Sequence, residues 1–224
     1  HAQGEIAIQM ILNAFTEIME NYPRPDHRHR LEHNALITKN QIIQAQKLGL
    51  TLSFFMDHVY YYGEQLPQIV GPDRAARFMP LGSAFAVGHR ASIHTDNPAT
   101  TVDPFRVIST AVTRKTKDRG DILGPTERVT INDALKAVTI NAAWQLFEDD
   151  QRGSITVGKA ADFVLLSHNP LRIQPENIKN ISALCTWIDG IKINISPWTW
   201  TNFKLLLLIV IDYLHTAINN WLNM

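Results

Sequence analysis

The segment Arg30–Asn34, which reads Arg-Leu-Glu-His-Asn, decides the fold of this chain. It is a short run of strand character that ends at His33, and a helix signal follows it at Thr38. A second run of the same pattern, Ala91–Pro98, carries Asp96 just beyond its apolar part. In parallel α/β folds, side chains at the carboxyl ends of successive strands converge on one mouth. We therefore expect His33 and Asp96 to share a site.

The first residue is a third candidate for the same site. His1 stands directly ahead of a helical pattern, as His33 does. Imidazole nitrogens and carboxylate oxygens are the ligands that catalytic divalent metals such as zinc use in proteins. The residue types at these strand ends therefore indicate a metal-dependent hydrolase.

Strand and helix patterns alternate along residues 1–150. Apolar residues at helical spacing predict a helix over Glu5–Glu20, and Thr38–Gln41 has the spacing of a capping box. Leu50–Phe55 predicts a buried strand, and Asp57–Glu64 is expected to form the loop after it. Further helices are expected from residue 72 and over 81–87, 104–114 and 131–141, the last followed by a second helical turn that reaches Phe147, with a strand at 91–95. Such alternation is typical of a parallel sheet or barrel.

The pattern changes after residue 150. Gly153–Leu166 has glycine turns around short apolar runs, and Asp189-Gly190 lies between two apolar runs, as in a β-hairpin. The last segment, 194–224, is apolar and holds three of the five tryptophans. Charged residues bracket its apolar run too closely for the roughly 20 apolar residues that a membrane-spanning helix needs.

Composition excludes several classes of protein. Lysine and arginine together number 21, as do aspartate and glutamate, so the basic excess of nucleic-acid-binding proteins is missing. The single cysteine, Cys185, rules out an internal disulfide framework and suits a reducing compartment. We expect a cytoplasmic protein that does not bind nucleic acid.

Taken in order, these segments resemble the amidohydrolase superfamily, and within it the branch that contains N-substituted formamide deformylase. His1–Glu5 resembles the histidine motif of barrel strand five, His29–His33 that of strand six, and His94–Pro98 the aspartate motif of strand eight. Gly153–Asp162 is similar to the hallmark of the small β-sandwich of these proteins.

The resemblance implies an α/β fold with the C-terminal half of a (β/α)8 TIM-like barrel. Residues 1–150 would form that half-barrel, 151–193 part of the β-sandwich, and 194–224 a tail that the family does not match. The strand-one His-x-His pair and the strand-four metal-bridging residue have no counterparts in the sequence. A complete barrel needs about 250 residues, so we expect a C-terminal fragment.

The resemblance also implies the site. One or two divalent ions, usually zinc, would be held by His1, His33 and Asp96, with Asp96 as the general base. Metal-activated water would hydrolyse a non-peptide C–N bond in a small amide-like or formamide-like substrate. The segment after Leu50–Phe55 would contact the substrate through His58, Tyr61 and Tyr62, together with His94 from the strand-eight motif.

Each residue also has a structural alternative. His33 taken alone resembles a core histidine satisfied by the backbone, and Asp96 a carboxylate that caps the turn before Pro98. His58 and the two tyrosines fit an aromatic lid equally well. Arg30 and Glu32 are expected to form an ion pair without a catalytic role.

Three functional hypotheses remain open. In the first, the parent protein is a metal-dependent amidohydrolase and this chain alone is inactive. In the second, the chain is a non-catalytic half-barrel scaffold that reaches a membrane through its tail. In the third, two half-barrels pair as a homodimer and complete a barrel between chains.

Overall fold

The structure, a computed structural model, describes residues 1–193, so the predicted apolar tail at 194–224 lies outside the described residues. Helices and strands alternate up to residue 145, and β structure follows. In chain order the elements are α1 (Glu5–Asn21), β1 (Arg30–His33), α2 (Lys39–Lys47), β2 (Thr51–Phe55), α3 (Asp57–Tyr62), α4 (Leu66–Val70), α5 (Pro72–Ala76), α6 (Leu81–Ala86), β3 (Ser92–His94), α7 (Pro104–Thr113), α8 (Ile131–Val138), α9 (Ile140–Gln145), β4 (Phe163–Leu166), β5 (Ala183–Ile188) and β6 (Ile191–Ile193).

The first three strands form a parallel sheet in the order β1-β2-β3. Leu31 lies opposite Leu52, and Phe54 lies opposite Ile93. Every residue of β2 is buried, as expected for the central strand of a parallel sheet that is covered on its faces. Ala2 adds an isolated parallel bridge to His33 at the other side of β1. All carboxyl ends of the sheet therefore face the same way.

The helices begin where the sequence supplies capping side chains. Thr38 and Gln41 form a complete capping box at the start of α2. Asp103 accepts a hydrogen bond from the backbone N–H of Arg106 at the start of α7, where Pro104 occupies the first helical position. These local signals explain why the predicted starts of α2 and α7 are confirmed.

The last three strands form a separate antiparallel sheet in the order β4-β5-β6. Asp189 and Gly190 both have positive φ and make the tight turn between β5 and β6, which confirms the predicted hairpin. A 3₁₀ turn at Pro175–Asn180 packs against α7 and buries Ile178 completely in the main core. The chain beyond residue 150 is thus anchored to the parallel α/β part through this turn.

Two sequence expectations are wrong in detail. The segment after β2 is helix α3 over Asp57–Tyr62, because the chain enters a helix directly from the strand and meets neither Gly nor Pro before Gly63. The helix expected over 131–141 divides into α8 and α9 at Thr139, whose φ and ψ of −126° and −99° are not helical. Among residues 1–193, no helix combines the length and apolar character required to cross a membrane.

Candidate metal centre

Three side chains meet at the carboxyl ends of β1 and β3. His33 and His94 each offer an imidazole nitrogen and Asp96 a carboxylate oxygen, and these ligand atoms lie within 4.8 Å of one another. Because the ligands of one zinc ion stand about 2 Å from it, they lie about 3–4 Å apart. Small adjustments of these three side chains would bring them to a common ion.

The backbone at both strand ends takes an uncommon conformation. His33, Asn34 and Asp96 have φ values of 76°, 55° and 52°, in the left-handed region. The side chain of Asn34 is fully buried and donates to the backbone oxygens of Leu31 and Ser53, which fastens the end of β1 to β2. Such strain persists only where the surrounding structure imposes it, and it occurs often at functional sites.

Unpartnered nitrogens indicate that the cluster suits a cation. Within residues 1–193, the buried Nδ1 of His33 and Nε2 of His94 have no hydrogen-bond partner. A buried polar atom without a partner costs free energy, so most such atoms in folded proteins are paired. Two imidazoles with unpaired nitrogens beside a carboxylate form the donor set of a divalent metal such as zinc.

Burial and the charge of a neighbouring carboxylate shift the pKa of His94 in opposite directions. Burial lowers the pKa of His94, and the neighbouring Glu32 carboxylate, 3.7 Å from Nε2, opposes that effect. Glu32 also pairs with Arg30, as expected from their alternation in the strand. The net lowering of the pKa favours the neutral imidazole that a metal ion requires.

His1 lies next to the cluster. Its Nδ1 is 2.9 Å from Nε2 of His33, and the two rings are tilted by 46°. The bridge between Ala2 and His33 brings the first residue to this position. His1 therefore contacts His33 directly but lies outside the three-residue cluster.

The predicted substrate-contacting residues divide between two sides of α3. The His58 ring packs against Phe55 at a tilt of 49°, with centroids 4.2 Å apart, and meets Tyr62 edge-on at 5.6 Å, so His58 and Tyr62 share one face of α3. Tyr61 instead lies over the guanidinium of Arg106, 5.5 Å from it. His94, the fourth of these residues, has joined the metal-capable cluster.

Burial also controls the ionisation of His58. It lowers the pKa of His58 to about 4, and the charge of His33 adds to this lowering. Within the described residues the buried Nδ1 of His58 has no hydrogen-bond partner. A neutral imidazole with an unpartnered nitrogen can donate or accept one further hydrogen bond.

Four residues near the site escape prediction from the sequence. The ring of Phe55 packs against three histidines of the site. Its centroid lies 4.2 Å from that of His58, 5.4 Å from that of His94 and 6.2 Å from that of His33. Asp57, Arg106 and Thr100 form a polar network behind Asp96. Of these four residues, only Asp57 has a position in the sequence that would indicate a role, since it stands two residues after the end of the buried strand β2.

An open cavity of about 440 Å³ lies along the cluster. His94, Asp96 and Glu32 line it, and the small side chains of Ser53 and Ser92 leave it room. A cavity of this size suits a small molecule.

A family model and two known proteins match most of this chain. A family model described as the amidohydrolase family matches residues 1–191. N-substituted formamide deformylase of Arthrobacter pascens is 30% identical over 192 residues, which are 85% of this chain and 35% of that protein. Protein LONG AFTER FAR-RED 3 of Arabidopsis thaliana is 31% identical over 193 residues, which are 85% of this chain and 33% of that protein.

A solved structure shows the same likeness. The crystal structure of an uncharacterized metal-dependent hydrolase from Pyrococcus furiosus matches with a TM-score of 0.62 and 25% identity, over 77% of this chain and 33% of that one. The chain therefore spans about a third of the length of the relatives it matches. The family match extends over most of the sequence, and the chain belongs to the amidohydrolase family.

Proposed function

We propose that this chain is the C-terminal part of a metal-dependent amidohydrolase that hydrolyses a non-peptide C–N bond. Residues 1–150 would supply the later half of a (β/α)8 barrel and residues 151–193 part of its β-sandwich. The observation that carries the proposal is the cluster of His33, His94 and Asp96 at the carboxyl ends of parallel strands. Barrel enzymes hold their catalytic groups at this end of the strands.

His33 and Asp96 would hold the metal, with His1 beside them and His94 within reach. A divalent cation bound there, such as zinc, lowers the pKa of a water molecule toward neutrality and polarises a carbonyl group. The imidazoles of His33 and His94 can serve as ligands only when they are neutral. The buried surroundings of His94 lower its pKa and so favour that form.

Asp96 would also act as the general base. Its carboxylate would take a proton from the attacking water and deliver it to the leaving nitrogen, so that the amine departs uncharged. The turn in which the backbone N–H of Ala99 donates to the oxygen of Asp96, at 2.7 Å, holds the residue in its left-handed conformation.

The substrate would be a small amide or formamide. The name of the Arthrobacter pascens relative, N-substituted formamide deformylase, describes removal of a formyl group from a substituted nitrogen, which fits a C–N bond outside a peptide. His58, Tyr61 and Tyr62 would contact the substrate from α3, and the apolar ring of Phe55 would lie beneath it.

The test is the metal content of the purified chain after dialysis against zinc. We expect bound zinc in the unsubstituted chain and its loss in His33→Ala and in Asp96→Ala, because each substitution removes a ligand. His168→Ala is the matched control, since His168 is exposed and contacts Ser167 away from the cluster. Equal zinc in all four proteins would overturn the site assignment.

The reaction is tested separately, in the chain joined to the upstream sequence of its parent gene. Zinc-loaded protein should release amine from substituted formamides, whereas the Asp96→Ala variant should not. Absence of turnover across formamides and related amides in the metal-loaded parent would contradict the proposed reaction.

A further inference from the structure

We propose that a buried ion pair, Asp57–Arg106, acts through Thr100 to position the loop that carries Asp96, and thereby sets the affinity of the metal centre. The inference rests on the proposed function, because it concerns the same ligand. It assigns positioning roles to three residues that do not touch the metal or the substrate.

The ion pair is bidentate and enclosed. Nε of Arg106 donates to Oδ1 of Asp57 at 2.8 Å, and Nη2 donates to Oδ2 at 2.8 Å. The Asp57 side chain is 0% exposed and that of Arg106 is 9% exposed. Two parallel charge-assisted hydrogen bonds fix the relative orientation of both planar groups as well as their distance.

Arg106 and Asp57 also form hydrogen bonds with the loop that follows β3. Nη2 of Arg106 donates to the backbone oxygen of Thr101 at 2.7 Å, and Nη1 donates to its hydroxyl at 3.2 Å. The Thr100 hydroxyl lies 2.5 Å from Oδ2 of Asp57 and also meets the backbone oxygen of Thr95. The loop is therefore fastened on both sides of Asp96, at Thr95 before it and at Thr100 and Thr101 after it.

The Thr100 hydroxyl is the link between the ion pair and the strand end. It has one hydrogen and faces two acceptors, a carboxylate oxygen and a carbonyl oxygen. It must share or alternate its hydrogen between them, so its position depends on both. A shift of Asp57 is transmitted in this way to the backbone of Thr95, next to Asp96.

The ion pair also joins the two sides of the site. Asp57 begins α3, which follows β2, and its neighbour His58 packs against Phe55, whose ring in turn contacts His33 and His94. Arg106 lies in α7, which follows the loop of β3. Because β2 and β3 are adjacent parallel strands, the pair fixes the separation between the helix with His58 and the loop with Asp96.

Energetics favour a positioning role over a purely stabilising one. Replacing a buried ion pair by apolar residues of similar volume is often neutral or stabilising, so such a pair adds little net stability of its own. Its directional bonds, by contrast, restrict a strained loop to one arrangement. The residues that hold metal ligands in place typically change metal affinity by 10–100-fold when they are removed.

Thr100 offers a test that spares the ion pair. Thr100→Val keeps the shape and removes the hydroxyl, whereas Thr100→Ser keeps the hydroxyl. We expect zinc affinity, measured by competition with a chromophoric chelator, to fall about tenfold in Thr100→Val and to stay near that of the unsubstituted chain in Thr100→Ser. The metal-free proteins should unfold at similar denaturant concentrations, so that the affinity change is not a folding defect.

Combining Thr100→Val with Asp96→Ala separates a positioning effect on the ligand from a general loss of stability. In Asp96→Ala the ligand that the network positions is gone and zinc binds only weakly, so adding Thr100→Val should leave this weaker affinity, measured at higher zinc concentrations, unchanged. A tenfold effect of Thr100→Val that persists in this background would overturn the inference, as would an unchanged affinity in the single variant.

The two proposals fail differently. If Asp96→Ala binds zinc more weakly than the unsubstituted chain, but Thr100→Val binds it as tightly as the unsubstituted chain, the metal centre stands and the positioning role is refuted. If neither the unsubstituted chain nor Thr100→Ser binds zinc, both proposals are refuted.

Discussion

At the scale of single residues, burial sets the ionisation of two histidines at the site, His58 and His94. It lowers the pKa of His58 to about 4 and also lowers the pKa of His94, while the Asp96 and Glu32 carboxylates oppose the change only in part. Neutral imidazoles are what a cation needs as ligands and what a substrate meets as hydrogen-bonding groups. The protonation state of these two histidines thus depends on their buried surroundings, which include the ring of Phe55.

The effect of burial on the pKa of a histidine can be measured at His89, which lies outside the site. His89 is buried, and its Nε2 donates to the backbone oxygen of Ile42 at 2.9 Å. Burial lowers the pKa of His89 below its ordinary value of 6.5, so the unfolded chain takes up a proton more readily than the folded one. The resulting stability is present above about pH 6.5 and is lost as the pH falls.

We predict that His89→Gln weakens the pH dependence of stability. The glutamine amide can still donate to Ile42, but it does not titrate. Melting temperatures measured between pH 7.5 and pH 5 should therefore fall less steeply in the variant than in the unsubstituted chain. Parallel profiles would show that His89 contributes no acid-sensitive stability.

At the scale of elements, one glutamine connects two helices. The Oε1 of Gln41 accepts from the backbone N–H of Thr38 at 3.0 Å and completes the capping box of α2. Its Nε2 donates to the backbone oxygen of Glu5, at the start of α1, at 2.8 Å. The end of β1, and with it His33, is therefore followed by a helix whose start is fixed both locally and against α1.

We predict that Thr38→Ala lowers the free energy of unfolding by about 1 kcal/mol, because the Thr38 side chain satisfies an otherwise free N–H at the helix start. Thr38→Ser should keep most of the stability, since serine caps helices equally well. Urea unfolding of the three proteins measures the difference. An alanine variant as stable as the serine variant would show that the cap has no effect.

At the scale of the whole molecule, the chain beyond residue 150 is built onto the parallel α/β part by close packing. Gly153 and Gly158 both have positive φ, at 87° and 95°. A Cβ at Gly153 would stand 2.7 Å from Cβ of Ala143 and 2.9 Å from Cα of Ile140, both in α9. A Cβ at Gly158 would meet no atom within 4 Å.

We predict that Gly153→Ala destabilises the protein more than Gly158→Ala. Both variants strain the backbone, but only the first must also push the chain away from α9, an overpacking cost of about 1–3 kcal/mol. Denaturant unfolding of the two variants compares them directly. Equal losses would mean that the contact with α9 relaxes without cost.

Much of the fold could be predicted from local sequence. The capping residues Thr38 and Asp103, the apolar run of β2 and the Asp189-Gly190 turn act over a few residues, and they predict elements that the structure confirms. The sequence does not predict helix α3, because no Gly or Pro separates it from the preceding strand β2. Arg114 was missed as well: it is fully buried and donates to the backbone oxygens of Phe78, Met79 and Leu123.

The sequence by itself determined the alternation of strands and helices, the membership of the amidohydrolase family, and the position of His33 and Asp96 at strand ends. These follow from neighbouring residues and from ordered motifs. Only the tertiary structure decided that His94 joins the cluster and that Asp57 pairs with Arg106, 49 residues away. The physical reason is that strand register and helix packing select these partners, and both are settled by burying one common core rather than by any local preference.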